Sequence, residues 1–131
     1  HLANAKRKII IATPYFAPRW WLLKSLINAS RRGVRIEIIL PSVSDNLLAD
    51  VANHFFAYLL SFFKINFYFI NSMIHAKSLL VDDREGMIGS NNLDIQSFDY
   101  NAESSLVFRH RQMIEDFKKI LEQWKRSAKK F

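Results

Sequence analysis

Between Lys8 and Ile70, short apolar runs alternate with longer stretches of helical periodicity; from Ile70 to Phe108, strand-like runs follow one another with no helix between them. That order constrains the fold more than any other feature. Helices between strands supply the crossovers that parallel pairing needs, while consecutive strands can return as hairpins. Lys8 to Phe16 is β-rich, bounded by Pro14 and Pro18. Pro18 to Arg32 reads as a helix, with proline in its first turn and Gly33 just past its end. Leu23, Leu26, Ile27 and Ser30 form one face of it, Lys24, Asn28 and Arg31 the other. Val34 to Leu40 is a strand. Asp45 can cap a helix running to about Phe63, with Leu48, Val51, Ala52, Phe55, Leu59 and Phe63 turned inward. Strands follow at Ile65 to Ile70, through His75, at Glu85 to Ser90 and at Ser104 to Phe108. Arg111 to Lys129 is an amphipathic helix seamed by Ile114, Phe117, Leu121 and Trp124, with Glu115–Lys119 and Glu122–Arg126 as i,i+4 pairs. The expected fold class is α/β: a mixed β-sheet sandwiched by helices, in one domain over residues 1–131.

One stretch imitates a membrane span. Phe55 to Ile74 holds twenty residues with Lys64 as the only formal charge. Lys64 sits mid-window, however, Asn66 and Asn71 add polarity, and the apolar period changes after Phe63, so a buried helix followed by a strand is the better reading. Half of the residues are apolar, which excludes a disordered chain, and cysteine is absent, which excludes a disulfide framework and a thiolate metal site. The net charge of +7 suits an anionic partner, phospholipid or nucleic acid. The chain begins at His1 and enters a fold at once, so it reads as a piece cut from a longer protein.

The chemistry concentrates in His75-Ala-Lys77-Ser-Leu-Leu-Val-Asp82 and the following Gly89-Ser90-Asn91-Asn92. On a strand, residues two apart share a face, so His75 and Lys77 point the same way. Asp82 lies at odd offsets from both, which favours a structural job, such as bonding backbone, over general base. Gly89 lets backbone approach an anion closely; Ser90 offers a hydroxyl and Asn92 amide donors. A neutral imidazole can attack phosphorus to give a labile phosphohistidine, and lysine supplies fixed positive charge for the phosphoryl oxygens. In-line displacement also needs an acid opposite the nucleophile. One histidine cannot serve both sides, so a second must come from elsewhere.

The spacing H-x-K-x4-D-x6-G-S-x-N, fitted without a gap by His75, Lys77, Asp82, Gly89, Ser90 and Asn92, resembles the phospholipase D superfamily and its HKD motif. Within it, the chain is most similar to the C-terminal catalytic half of bacterial cardiolipin synthases. The supporting segments are Thr13-Pro-Tyr-Phe-Ala-Pro18, Arg32-Gly-Val-Arg-Ile-Glu-Ile-Ile-Leu-Pro41, Ser44-Asp45, Gly89-Ser-Asn-Asn-Leu-Asp94, Ser97-Phe98 and Asn101-Ala-Glu103. The resemblance implies a single catalytic lobe of a two-lobe enzyme. It groups His75, Lys77 and Asp82 as catalytic, gives Lys77, Ser90 and Asn92 the substrate phosphate, and has Glu103 orient the histidine. It implies phosphatidyl transfer or phosphodiester hydrolysis through a phosphohistidine, with no cofactor and no metal. The implied partners are an anionic phospholipid such as phosphatidylglycerol and a second HKD lobe, either the N-terminal half of the parent or a homodimer mate. The implied location is the bacterial inner membrane. Gln96 stands where the family usually has arginine, and Lys64-Ile65 where it usually has Gly-Val.

Two other readings remain. A single-motif, metal-independent nuclease would pair two copies of His75 in a two-fold dimer; only there is nucleic acid a partner. A binding domain without turnover is the third, and the intact motif argues against it. His54, on the side of its helix with Asp50 and Ala57, and His110, between two arginines, read as surface histidines. Trp21 shares a face with Lys24 and Asn28, so it reads as exposed, as a surface tryptophan, an interfacial anchor or a contact to a missing lobe; Lys125 to Lys130 reads as a solvated basic helix end, with an acidic-lipid patch as the sharper alternative.

Overall fold

The computed structural model describes residues 2–72, 77–89 and 105–131, Ser105 through its backbone. Among these residues one sheet forms from β1 (Lys8–Ala12), β2 (Arg35–Pro41), β3 (Asn66–Ile70), β4 (Ser78–Val81), β5 (Glu85–Gly89), β6 (Ser105–Phe108) and β7 (Lys129–Lys130). Its order is β6-β5-β4-β1-β2-β3-β7. β1, β2 and β3 pair in parallel; β4, β5 and β6 continue antiparallel from the β1 edge. Two of the helices, α1 (Trp20–Arg31) and α2 (Leu47–Ser61), are the crossovers between the parallel strands, and α3 (Arg111–Ser127) follows β6. The expected mixed α/β sandwich is what the chain forms.

Alternation along the strands builds two cores. Ile9, Ile11, Ile36, Ile38, Leu40, Phe67 and Phe69 join Leu22, Leu26 and Ala29 of α1 and Ala57 and Leu60 of α2. On the other face Ile10, Ala12, Ile39, Ile70, Leu80 and Phe108 meet Ile114, Phe117 and Leu121 of α3. β1 and β2 are therefore covered on both faces, which is why Ile9-Ile-Ile-Ala12 and Ile36 to Leu40 carry no exposed side chain.

α1 and α2 end in the same way. Gly33 N–H donates to Ser30 and Val34 N–H to Ala29; Lys64 N–H donates to Ser61 and Ile65 N–H to Leu60. Both are Schellman ends, which need a left-handed residue. Gly33 supplies it at φ 90°, but α2 uses Lys64 at φ 60°. The Lys64-Ile65 departure noted in the sequence thus falls where glycine is favoured.

Several local expectations are corrected. Asn46, not Asp45, caps α2, accepting from Leu48 and Ala49 N–H; the Asp45 carboxylate instead accepts from the Tyr15 hydroxyl at 2.9 Å. The inward side of α2 is Asn53, Ala57 and Leu60 with Phe56, whereas Leu48, Val51 and Phe55 face out. Both sides of this helix are apolar, so periodicity could not orient it. Ala57, grouped with His54 on a polar side, is fully buried; His54 is exposed, stacked 4.5 Å from the Phe69 ring. On α3, Glu122 pairs with Lys8 and Lys125 rather than Arg126, and Glu115 with Arg111. The basic tail is no simple helix end: α3 stops at Ser127, and Lys129 and Lys130 pair with β3. No helix among the described residues is long and apolar enough to cross a membrane.

Candidate active site

In a mixed sheet of this order the carboxyl ends of β1, β2 and β3 lie at one end, together with the amino end of antiparallel β4. Lys77 immediately precedes β4, so it stands at that end, half-buried. Its carbonyl accepts from Gly89 N–H at 2.9 Å, and Gly89 in turn registers with Ser105. Ser72, Lys77, Gly89 and Ser105, the described residues that bracket 73–76 and 90–104, follow or begin strands whose termini share this end. His75, Ser90, Asn92 and Glu103 lie outside the described residues, as does Gln96. β4 begins at Ser78, so the alternation argument that pairs the faces of His75 and Lys77 reaches past the start of the described strand.

Asp82 is at the other end of β4. Five residues of extended chain from Lys77 span roughly 16 Å. Its carboxylate accepts from the backbone N–H of Lys6 (2.9 Å), Arg7 (2.7 Å) and Lys8 (2.9 Å), tying the entry of β1 to the β4–β5 turn. Partial burial pushes the carboxyl pKa up. The backbone donors, Lys8 foremost, and the Arg7 charge outweigh it, so the net value falls below the ordinary 3.8. These contacts commit both carboxylate oxygens to backbone at the end of β4 away from Lys77. Asp82 and Asp83 both sit at positive φ, 53° and 54°, in the β4–β5 turn. Aspartate enters that region more readily than most residues, and a tight hairpin turn uses it.

Polar side chains that the sequence reading did not single out hold the loops at the Lys77 end. Buried Asn53 accepts from Phe16 N–H (2.7 Å) and donates to the Pro14 carbonyl (3.1 Å), fixing the β1–α1 loop from α2. Buried Thr13 donates to the Tyr15 carbonyl. Ser42 donates to the Ile70 carbonyl at 2.8 Å, joining the exits of β2 and β3. The Ser78 hydroxyl, buried beside Lys77, has no hydrogen-bond partner among the described residues. An asparagine in an otherwise apolar helix face was the one available signal for Asn53.

The opposite end is a lattice of matched charges. Glu37 on β2 is fully buried and accepts from Lys125 Nζ at 2.8 and 2.9 Å; Lys8 lies at 3.3 Å and the Tyr68 hydroxyl at 3.2 Å. Burial raises its pKa, but Lys125, Lys8 and Arg35 together hold it below the ordinary 4.5. A groove of about 640 Å³ lies at this end too, lined by Asp83, Arg84, Arg109, Arg111, Ile114, Glu115 and Lys118. Lys118–Asp83 and Arg111–Glu115 pairs lie within that lining, and Arg109 pairs with Glu85, so it is largely charge-matched; it lies at the end of β4 away from Lys77. Among the described residues no group of three or more histidines or carboxylates is arranged for a metal ion.

The fold defines a class: an open α/β lobe whose strand direction reverses at β1, between β4 and β2, with Lys77 at the carboxyl end of its parallel strands. Comparison with known proteins narrows this. The family model described as "Cardiolipin synthase, PLD-like domain" matches residues 1–125. Cardiolipin synthase A of Buchnera aphidicola subsp. Acyrthosiphon pisum (strain APS) is 41% identical over 105 residues, 79% of this chain and 22% of that protein. The phospholipase D family member Nuc from Salmonella typhimurium superposes with a TM-score of 0.76 at 20% identity, covering 99% of this chain and 85% of Nuc. Phosphatidylserine synthase of Haemophilus influenzae Rd KW20 gives 0.77 at 18% identity, covering 99% and 35%. At those identities the two structures speak to the fold alone. The chain belongs to the cardiolipin synthase, phospholipase D-like domain family, and it spans less than a quarter of the length of the curated relatives it matches, 22% and 24% of two of them.

Proposed function

We propose that this chain is one lobe of a phosphatidyl-transferring enzyme, the C-terminal one, and contributes half of a two-histidine active site. The observation that carries the reading is the ungapped motif from His75 to Asn92 in a chain of this family. The position of Lys77 and Gly89 at the ligand end of the sheet supports it.

In this reading an imidazole nitrogen, from His75 or the second lobe's histidine, attacks phosphorus of phosphatidylglycerol. An N–P bond forms, the P–O bond to the headgroup glycerol breaks, and the opposing imidazolium protonates the departing oxygen. That histidine, now neutral, takes the proton from an acceptor hydroxyl, which attacks phosphorus and breaks the N–P bond. A second phosphatidylglycerol gives cardiolipin; water gives phosphatidic acid. Lys77 and Asn92 hold the phosphoryl oxygens, Ser90 lines the site, and Glu103 orients the imidazole. Lysine and amides supply the positive field, so no metal is needed and a chelator leaves turnover intact. Membrane association and an anionic phospholipid partner belong to the same reading.

The test is lipid mass spectrometry of the full-length protein incubated with phosphatidylglycerol. Cardiolipin or phosphatidic acid is the expected product; neither one forming would remove the proposal. A second reading, a homodimeric nuclease, is favoured by the single motif in a strongly basic chain of +7. Metal-independent DNA cleavage lost in His75→Asn would establish it, and intact DNA at high protein concentration would sink it.

A further inference from the structure

The side of α2 that faces away from the sheet is built like a packing seam. Leu48, Val51, Phe55 and Tyr58 of α2 and Phe62 at its cap recur at spacings of three, four, three and four. Leu48 is 79% exposed, Phe55 56% and Phe62 69%. Tyr58 and Phe62 meet edge to face at 5.3 Å, so the seam's lower half is one apolar patch. The side opposite, Asn53, Ala57 and Leu60, is already buried against the sheet. A helix apolar on both sides is the pattern of an interior element.

What covers it follows from charge. The chain carries 19 lysines and arginines, yet none falls between Leu47 and Phe63, where Asp50 is the one formal charge. The Asp50 carboxylate is occupied by Ser44 N–H (2.9 Å) and hydroxyl (2.7 Å). A helix lying in a membrane surface presents lysines and arginines beside its apolar face; α2 has none. An uncharged face lets two copies of a chain at +7 meet without like-charge repulsion, and α2 supplies one. The 3-4 spacing fits a second helix crossing at about 20°. Leu47, Leu48, Val51, Phe55, Tyr58 and Phe62 expose on the order of 700 Å² per copy, close to the ~800 Å² per partner of a standard interface.

We infer that α2 pairs with α2 of a second copy about a two-fold axis, with Phe55 near the axis and Leu48 of one copy against Phe62 of the other. The pairing is antiparallel, so the two Lys77 ends lie at opposite ends of the assembly. It is therefore a contact separate from any lobe pairing that completes the two-histidine site.

Sedimentation velocity of the 131-residue chain across a concentration series tests this. The wild type is expected to sediment as a dimer. Phe55→Lys with Phe62→Lys should sediment as a monomer with unchanged circular dichroism, because both positions are exposed; Trp20→Lys, exposed on α1, should remain dimeric. A wild-type monomer, or a dimer indifferent to the lysine pair, would overturn the inference. So would a monomer that floats with phosphatidylglycerol vesicles and loses that flotation in the lysine variant, since the seam would then face lipid.

Discussion

The two ends of β4 carry the same motif and do opposite things. At one end Lys77 is half-buried where the parallel strands terminate, beside loops held by Asn53, Thr13 and Ser42. At the other, Asp82 has its carboxylate on three backbone amides, and buried Glu37 anchors a partly buried lattice with Lys8, Glu122 and Lys125 nearby. One end uses neutral polar groups to hold its loops; the other uses opposite charges to lock strands and α3 together. A sequence motif is therefore not a list of equivalent groups: five positions separate a residue at the carboxyl end of the parallel strands from a backbone tie.

That contrast predicts variants that separate activity from stability. Lys77→Ala should lower turnover of the full-length protein by about 10²–10³-fold, the scale for removing one preorganised group that stabilises developing charge, with little change in melting temperature. Equal loss of stability would move Lys77 to the structural side. Glu37→Ala should destabilise the fold by about 3 kcal/mol, because Lys125 and Lys8 lose a buried partner; denaturant titration reads it. Asp82→Ala should cost about 2 kcal/mol, less because its amide contacts are partly exposed to solvent, and turnover per folded molecule should be kept. Lys64→Gly should raise stability by about 1 kcal/mol by relieving a side chain at φ 60°; no gain would place the Schellman account of α2 in error.

Acid sharpens the same contrast. Asp82 and Glu37 both have folded-state pKa values below the ordinary 3.8 and 4.5. Each binds a proton more readily unfolded than folded. Their stabilisation is full above those ordinary values and is lost as pH falls through the lowered ones. Melting temperature should therefore decline as pH drops below about 4.5, and the decline should flatten in Glu37→Ala.

Much of the architecture was legible because its signals are local. Gly33 ends α1 where the sequence places the stop, and Ile114, Phe117 and Leu121 seat α3 through a single apolar stripe. α2 was misoriented because apolar residues line both its sides, and only burial of Asn53 decides between them. β7 and the Lys125–Glu37 bond join residues far apart in sequence, which no local pattern encodes. Of the candidate site, the three amide contacts of Asp82 follow from its place in the β4–β5 turn, at φ 53°, where strand alternation no longer applies. The roles of His75, Ser90, Asn92 and Glu103 rest on the motif.

The most direct measurement is product formation from phosphatidylglycerol by the full-length wild type, Lys77→Ala and Asp82→Ala, each normalised to folded protein. The account predicts cardiolipin or phosphatidic acid from the wild type and from Asp82→Ala, with almost none from Lys77→Ala. Loss in Asp82→Ala equal to that in Lys77→Ala, or full activity in Lys77→Ala, would contradict the division of labour between the two ends of β4.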